Sequence, residues 1–412
     1  MGDPVPAKAP AGPPAKPPTG TPAVDWGWLG RMAPRVVIAG LVAGWALAVA
    51  SGFGDEKAPA AWGGDYPAFH MAGKIALDGR LAELYDFDVQ ESYEQGMPRD
   101  GLLPFLYPPF VAAFYAPLAM LPYRAAYALF TLIAFASIAA SLVLLRPLSA
   151  TIRRDPWLAG ALVLAFYPMF RAVLGGQNTA LTLLILCGMW RLLHDGRDVA
   201  AGLLLGVLAY KPQLLVPVAG VVLLAGRFRV ATGAAASAVV LFVASGFLAG
   251  WDWPQKWMQM LGDYAGPDRR FNLHASISLG QLTDLYGWER GWMVLSGLLS
   301  LWVAWVALAK GKRDLPAVLA IGMTASLLIA PHALYYDAGI ALPAMMLVAD
   351  RGRPGEAAFF WVACASQVAA AALPASPLIF VLLALLVVVF GTIGTIGTIG
   401  KAGTRSVRII GE

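Results

Sequence analysis

Long apolar runs separated by short polar segments make up most of the chain from residue 35 onward. An α-helix rises about 1.5 Å per residue and the hydrocarbon core of a bilayer is about 30 Å thick, so roughly 20 apolar residues suffice for one crossing. The runs are continuous in Ala, Leu, Val and Ile and do not alternate with polar residues, which favours helices over a membrane β-barrel. The pattern predicts an all-α polytopic membrane protein with twelve candidate spans, near residues 35–53, 105–121, 124–145, 157–174, 177–193, 200–225, 230–249, 291–309, 315–331, 335–349, 357–373 and 376–392.

The composition of the chain agrees with this class. Of 412 residues, 58% are hydrophobic and 13% are charged, whereas soluble domains carry about 25% charged residues. The two cysteines, Cys187 and Cys364, lie inside apolar runs with no Cys or His at metal-ligand spacing. We therefore interpret them as small core residues and expect no disulfide and no bound metal. The lipid bilayer is an expected partner, and nucleic acid is not.

The two ends of the chain differ from its apolar middle. Residues 1–23 are rich in Pro, Ala and Gly and predict a disordered tail. Arg31 and Arg35 stand before the first run and favour a cytoplasmic N-terminus. We therefore divide the chain into a cytoplasmic tail at 1–23, a transmembrane domain at 24–392 and a second cytoplasmic tail at 393–412. A threefold Gly-Thr-Ile repeat between Gly391 and Gly400 is assigned no function.

The longest polar segment, residues 54–104, directly follows the first run. It contains ten acids and four bases, a net charge of −6, although the whole chain carries +5. Basic residues concentrate in cytoplasmic loops, so an acidic segment in an otherwise basic chain predicts a large first external loop. Within this loop, the apolar spacing over residues 66–84 predicts an amphipathic helix that lies on the membrane surface and is capped at Gly79.

Residues 105–225 allow two topologies, both with cytoplasmic termini. In the first, every run crosses once, which places five arginines outside: Arg146, Arg153, Arg154, Arg191 and Arg197. In the second, 105–121 is a re-entrant or interfacial segment, and 200–225 forms two short helices that break at Tyr210-Lys211-Pro212. The second topology moves the arginines inside and brings Lys211 to the face of the first external loop. We favour it for that reason, although each half of 200–225 is short for a crossing.

Basic loops also orient the carboxyl-terminal half. Loops at residues 227–229, 310–313 and 351–353 alternate with less basic segments and mark the cytoplasmic side, so 251–290 and 331–337 are external. Ionisable groups at membrane depth usually line a cavity or a path. We therefore predict a polar cavity that opens to the external side. Its candidate residues each stand near a Pro or Gly break: Asp65, Tyr107, Arg171, Gln177, Asn178, Lys211 and His332.

Five short segments occur in an order and spacing that point to one known family: Gly64-Asp65-Tyr66, Leu106-Tyr107-Pro108-Pro109, Gly176-Gln177-Asn178, Tyr210-Lys211-Pro212 and Pro331-His332…Tyr336-Asp337. Across roughly residues 35–350 the chain resembles glycosyltransferase family 87. These are integral-membrane mannosyltransferases of the GT-C superfamily that use polyprenyl-phosphate mannose. The resemblance implies a GT-C-type transmembrane helix bundle whose large first external loop carries interfacial helices.

The resemblance also implies an activity. It implies an inverting transfer at the outer face of the plasma membrane, from a polyprenyl-phosphate-linked sugar to a glycolipid or glycan acceptor, commonly with an α-1,2 linkage. Such enzymes use an acid of the first external loop as base, and Asp65 occupies that place. The departing lipid phosphate needs cations, for which Arg171, Lys211 and His332 are candidates. Neither a cofactor nor a metal is implied. Further candidates for substrate contacts are Gln177, Asn178 and Tyr107.

Other interpretations stay open at this point. Arabinofuranosyl transfer and glycan ligation belong to the same superfamily, and a lipid or sugar transporter would also have a polar cavity, although this chain shows no internal repeat. Asp65, Gln177 and Asn178 are also suited to capping helices. Lys211 is long enough to reach an interface from within a helix, and His332 is placed to anchor a helix end.

Overall fold

The computed structural model describes residues 64–95, 97, 102–272, 274–288, 290–353, 355–367, 373 and 375–393. Helices dominate this part of the chain, which also contains an isolated antiparallel β-bridge between Ser276 and Leu334. The predicted first span at 35–53, the tail at 1–23 and residues 394–412 lie outside the described residues. The predicted division into domains therefore stays a prediction.

The α-helices of the described residues are numbered in chain order. The amino-terminal half contains α1 Tyr66–Leu77, α2 Phe87–Glu94, α3 Pro109–Ala119, α4 Tyr123–Leu145, α5 Ala150–Arg154, α6 Pro156–Ala165, α7 Tyr167–Leu174, α8 Thr179–His194 and α9 Asp198–Gly206. The carboxyl-terminal half contains α10 Pro212–Leu224, α11 Phe228–Ala249, α12 Trp253–Phe271, α13 Leu279–Leu285, α14 Gly291–Lys310, α15 Leu315–Ile329, α16 Leu342–Arg351, α17 Glu356–Ala365 and α18 Leu378–Gly391. Short 3₁₀ helices occupy Leu81–Glu83, Val207–Tyr210 and Tyr335–Ala341.

Three of these helices are long and apolar enough to cross a membrane. They are α4 with 23 residues, α11 with 22 and α14 with 20. Helices α6 and α7 meet the same criterion only as a pair, and the chain bends by 69° between them. Shorter apolar helices, including α3, α8, α10, α15 and α18, pack around this framework. The chain is an all-α polytopic membrane protein, as the apolar runs predict.

Helix α1 differs from the predicted surface helix. It ends at Leu77, and Gly79 follows with φ +70° while its N–H bonds the Ala76 carbonyl, which confirms the glycine cap. Nine of its 12 residues are buried, so the predicted surface position is wrong. The cause is close packing against α3, where the ring of Phe69 stacks on Tyr115 with 4.6 Å between centroids.

Helices α9 and α10 form a hairpin with Lys211 at its tip. A Cβ on Gly202 would lie 2.1 Å from the Val230 carbonyl oxygen, and one on Gly206 would lie 2.4 Å from that of Ala234. The residue numbers of the contacting pairs increase together along the two helices, so α9 and α11 pack closely and run parallel. Helix α10, which connects them, must therefore run in the opposite direction. This hairpin confirms the break at 210–212 in the favoured topology.

The basic loops lie together at one end of the bundle, called the basic end. Arg227 lies 3.3 Å from Asp198 across two of these loops, and Arg351 pairs with Asp314 at 2.7 Å. Asp350 accepts a hydrogen bond from the backbone N–H of residue 151 at 2.7 Å, which ties the loop after α4 to the same end. The first topology, which put this loop on the opposite side from residues 310–314 and 350–353, is wrong because the loops are directly bonded.

The opposite end of the bundle, called the site end, contains every polar residue of the predicted cavity. Helices α4 and α8 begin there, the α9–α10 hairpin has its tip there, and α15 ends there. Helix α12 covers this end: Trp257 Nε1 donates to the Leu106 carbonyl at 3.3 Å, and Lys256 Nζ donates to the Ala82 carbonyl at 3.2 Å. The fold therefore gathers residues from distant parts of the chain into one polar region.

Candidate active site

A close contact between two loops holds Asp65 at the site end. The backbone N–H of Asp65 donates to the Gly175 carbonyl at 3.0 Å. Gly176 follows with φ +67°, and a Cβ at this position would lie only 2.6 Å from the Cβ of Tyr66. A glycine is therefore required in the turn between α7 and α8 for the loop of Asp65 to approach so closely.

The side chain of Asp65 is held by the same turn. Its Oδ2 atom accepts a hydrogen bond from Gln177 Nε2, 112 residues further along the chain. Asp65 stands directly before α1 but makes no capping bond to that helix, so the interpretation as a simple helix cap is wrong. The carboxylate is instead positioned by a side chain from another part of the bundle.

Three consecutive residues at the start of α8 carry polar atoms that lack hydrogen-bond partners in the structure. They are Gln177 Oε1, both side-chain polar atoms of Asn178, and Thr179 Oγ1. The exposed fractions of these residues are 3%, 3% and 0%. Asn178 makes no side-chain bond to the helix that it precedes, so capping is not its role. Buried polar groups are normally paired, so these unpaired atoms are candidates for contacts to a polar ligand.

Two tyrosines connect this group to a second acid. The phenol of Tyr107 interacts with the Asn178 side chain, although the pair lacks the geometry of a normal hydrogen bond. The carboxylates of Asp65 and Asp337 both act electrostatically on Tyr107 and on Tyr336. Both acids and both phenols therefore belong to one region of the site end.

Lys211 forms a buried ion pair with Asp337. Its Nζ atom lies 2.7 Å from Asp337 Oδ1, with the two side chains 5% and 10% exposed. Asp337 Oδ2 also accepts from the Leu334 backbone N–H at 3.1 Å. The interpretation that Lys211 extends to an interface is therefore wrong. Its role toward a lipid phosphate stays a prediction, in which the ammonium would use N–H donors beyond the one that bonds Asp337.

Arg171 lies in the last turn of α7, against the loop that carries His332. Its Nε atom donates to the Tyr335 hydroxyl at 3.1 Å, and its guanidinium carbon lies 5.9 Å from the centre of that ring. The loop is fixed by a bond from the Tyr335 N–H to the Ala275 carbonyl at 2.8 Å. His332 is half-buried in the same loop. Arg171 therefore contacts the short segment that contains His332.

A family comparison covers most of these residues. The model of glycosyltransferase family 87 matches residues 105–331, more than half of the chain. The chain belongs to glycosyltransferase family 87. No curated protein and no solved structure matches it. The matched region includes Tyr107, Arg171, Gln177, Asn178 and Lys211, so the transferase region and the polar site end overlap.

The polar region at the site end also contains residues that sequence reasoning did not select. Asp337 belongs to the Tyr336-Asp337 motif, from which no role followed, and it is the partner of Lys211. Thr179 and Tyr335 were not noticed, because neither residue type is unusual at a helix start or in a loop. Among the described residues, no group of three or more His, Cys, Asp or Glu side chains is arranged to hold a metal ion.

We expect Gly176→Ala to reduce transfer by displacing the loop of Asp65. Gly196→Ala is the matched control, because Gly196 has φ +73° but nothing lies within 4 Å of a Cβ there. Both variants incur backbone strain of about 1 kcal/mol. Only Gly176→Ala also forces a clash, and misplacing a reacting group by about 1 Å can cost roughly 100-fold in rate. Transfer rates and melting curves in detergent test this, and equal activity of the two variants would show that the contact is dispensable.

We expect Lys211→Met to destabilise the protein strongly, because it leaves the Asp337 carboxylate buried without a counter-ion. Breaking such a pair costs about 3–5 kcal/mol, whereas replacing both members by apolar residues is often neutral. Lys211→Met/Asp337→Leu should therefore melt well above the single variant, and below the wild type only by the lost bond from the Leu334 N–H. If Lys211 also binds the donor phosphate, the double variant will fold yet show a raised KM for the donor. A single variant as stable as the double one would contradict the pairing argument.

Proposed function

We propose that the chain is an inverting glycosyltransferase that moves a sugar, by family resemblance mannose, from a polyprenyl-phosphate donor to a hydroxyl of a glycolipid or glycan acceptor. The observation that carries the proposal is the Asp65 carboxylate, which accepts a hydrogen bond from Gln177 within a polar region of a membrane-embedded family 87 enzyme. A positioned carboxylate is suited to take a proton from an attacking hydroxyl.

The proposed reaction is a single displacement. The acceptor hydroxyl gives its proton to Asp65 while its oxygen forms a bond to the anomeric carbon of the donor sugar. The bond between that carbon and the phosphate oxygen breaks, and the electron pair stays on the phosphate. Attack opposite the leaving group inverts the anomeric configuration, so a β-linked donor gives an α-linked product.

The departing lipid phosphate gains negative charge and is stabilised by cations. Arg171 supports this role because its guanidinium is half-buried at the site end and bonds a neutral phenol, so its charge is not cancelled by that partner. Lys211 would act as a shared cation between Asp337 and the phosphate. His332 lies in the loop that Arg171 contacts and would add a donor when protonated.

The proposed location is the plasma membrane, with the site end on the external or periplasmic side. Support comes from the separation of the two ends of the bundle, since basic loops preferentially stay in the cytoplasm. The basic end carries Arg153, Arg227, Lys312 and Arg351, and the acidic segment containing Asp65 lies at the other end. Under this orientation the donor lipid would present its sugar at the outer leaflet.

We expect Asp65→Asn to lower transfer by roughly 100-fold to 10,000-fold, the usual contribution of a positioned base. The amide keeps the size of the side chain but does not take a proton. Asp88→Asn, an exposed acid of the same external segment, is the control and should keep wild-type activity. Membranes supplied with polyprenyl-phosphate mannose, and separately with polyprenyl-phosphate arabinofuranose, would also define the donor. Full transfer by a normally expressed Asp65→Asn protein would refute the assignment of the base.

We expect the two ends of the bundle to face opposite sides of the membrane. In a background with Cys187 and Cys364 replaced by alanine, Asp88→Cys should react with a membrane-impermeant maleimide in intact cells. Arg153→Cys, an exposed position at the basic end, should react only after the membrane is opened. Labelling of Arg153→Cys in intact cells would show that the basic end faces outward and that the site end is not external.

A further inference from the structure

The start of α8 differs from the other places where buried polar atoms lack partners. A second group of such atoms, the hydroxyls of Tyr66, Tyr115 and Tyr123 and the Nδ1 atom of His70, lies in an aromatic cluster to which each residue contributes one atom. At Gln177, Asn178 and Thr179 the unpaired atoms belong to three consecutive residues, all at most 3% exposed. A buried amide or hydroxyl without a partner is destabilising. A cluster of this kind is expected where a ligand completes the bonding.

The chemistry of these atoms selects a neutral, hydroxyl-bearing ligand. The Asn178 side chain offers one acceptor oxygen and one donor nitrogen, and Thr179 Oγ1 both donates and accepts. A phosphate group would need donors and positive charge, which this cluster does not supply. Two neighbouring sugar hydroxyls, each a donor and an acceptor, match an amide and a hydroxyl well.

The position of the cluster selects the acceptor sugar rather than the donor phosphate. Gln177 bonds the Asp65 carboxylate, and Asn178 is the next residue. The phenol of Tyr107 interacts with Asn178 and also interacts electrostatically with the Asp65 carboxylate. The hydroxyl that attacks must lie within about 3 Å of the base. A group bound at Asn178 is then close enough to belong to the same sugar ring.

We propose that Asn178 and Thr179 form a diol-recognition site for the terminal hexopyranose of the acceptor, beside the hydroxyl that attacks. The proposal rests on the proposed function, in which Asp65 takes the proton of that hydroxyl. Asn178 binds a hydroxyl adjacent to the attacking one through both its amide atoms, and Thr179 Oγ1 binds the same or the next hydroxyl. The site therefore discriminates among acceptors by the presence of a vicinal diol.

The test uses octyl α-D-mannopyranoside and its 3-deoxy analogue as acceptors, with polyprenyl-phosphate mannose as donor. For the wild type, we expect the deoxy analogue to lose about tenfold or more in kcat/KM, as a lost hydrogen bond to a buried group implies. For Asn178→Ala, the two acceptors should differ by less than about threefold, because the group that senses the missing hydroxyl is gone. Thr179→Val should lower kcat/KM for the full acceptor, and Thr179→Ser should retain most of it.

A stability measurement separates recognition from a structural role. Thr179→Val removes an unpaired buried hydroxyl at nearly the same volume, so it should melt at or near the wild-type temperature. A melting temperature of Thr179→Val that falls together with its activity would overturn the proposal. So would undiminished transfer to the deoxy analogue by the wild type, or an octyl mannoside that neither accepts sugar nor shifts the wild-type melting temperature.

The same assays distinguish this failure from failure of the proposed function. If Asp65→Asn is inactive while the wild type ignores the 3-hydroxyl, the transferase assignment stands and only the diol site is wrong. If the wild type transfers no sugar to membrane acceptors from either polyprenyl-phosphate donor, the proposed function itself fails.

Discussion

The contact between residues 64–66 and the turn at 175–177 is the constraint on which the rest of the site depends. Asp65 stands on a loop, and it is bonded through its N–H to Gly175 and through its side chain to Gln177. Both partners belong to the turn that links α7 to α8. The sharp bend between α6 and α7 brings this turn to the site end. The orientation of the acid is therefore set by the helix bundle, and Gly176 permits the approach.

The second constraint is electrostatic and comes from the α9–α10 hairpin. Because each arm is short, the chain reverses within the bundle and leaves Lys211 buried at the tip. A buried ammonium is costly without a counter-ion, and Asp337 supplies one from a 3₁₀ helix 126 residues away. The same pair joins the hairpin to the loop containing His332. Under the proposed function, the donor phosphate would compete with Asp337 for Lys211, so its binding would depend on Arg171 as well.

Features that depend on neighbouring residues in the chain were predicted correctly, whereas contacts between distant residues were not. Apolar runs report local burial, so α4, α11 and α14 were predicted nearly to the residue, and the Lys211-Pro212 break was visible as a proline in an apolar run. The burial of α1 was missed, because its apolar face resembles that of an interfacial helix and its partner α3 lies beyond a long polar segment. The pairs Asp65–Gln177 and Lys211–Asp337 join residues more than 100 positions apart. No local sequence pattern predicts such a pair, although the family resemblance had placed Asp65, Gln177 and Lys211 in one site.

At the site end, the polar groups that are bonded and those that are not differ in their charge. Lys211 has a counter-ion and Arg171 bonds a phenol, whereas the neutral amide of Asn178 and the hydroxyl of Thr179 have no hydrogen-bond partner. Charges left bare at membrane depth would be far more costly than neutral polar groups, so a bundle must pair its cations even when a ligand will later compete for them. Leaving a neutral group unpaired has a lower free-energy cost, and in the proposed function sugar hydroxyls would bond these groups. Under the proposed function this asymmetry is expected: the bonded cations would face the leaving phosphate, and the open hydrogen-bonding atoms beside Asp65 would face the acceptor sugar.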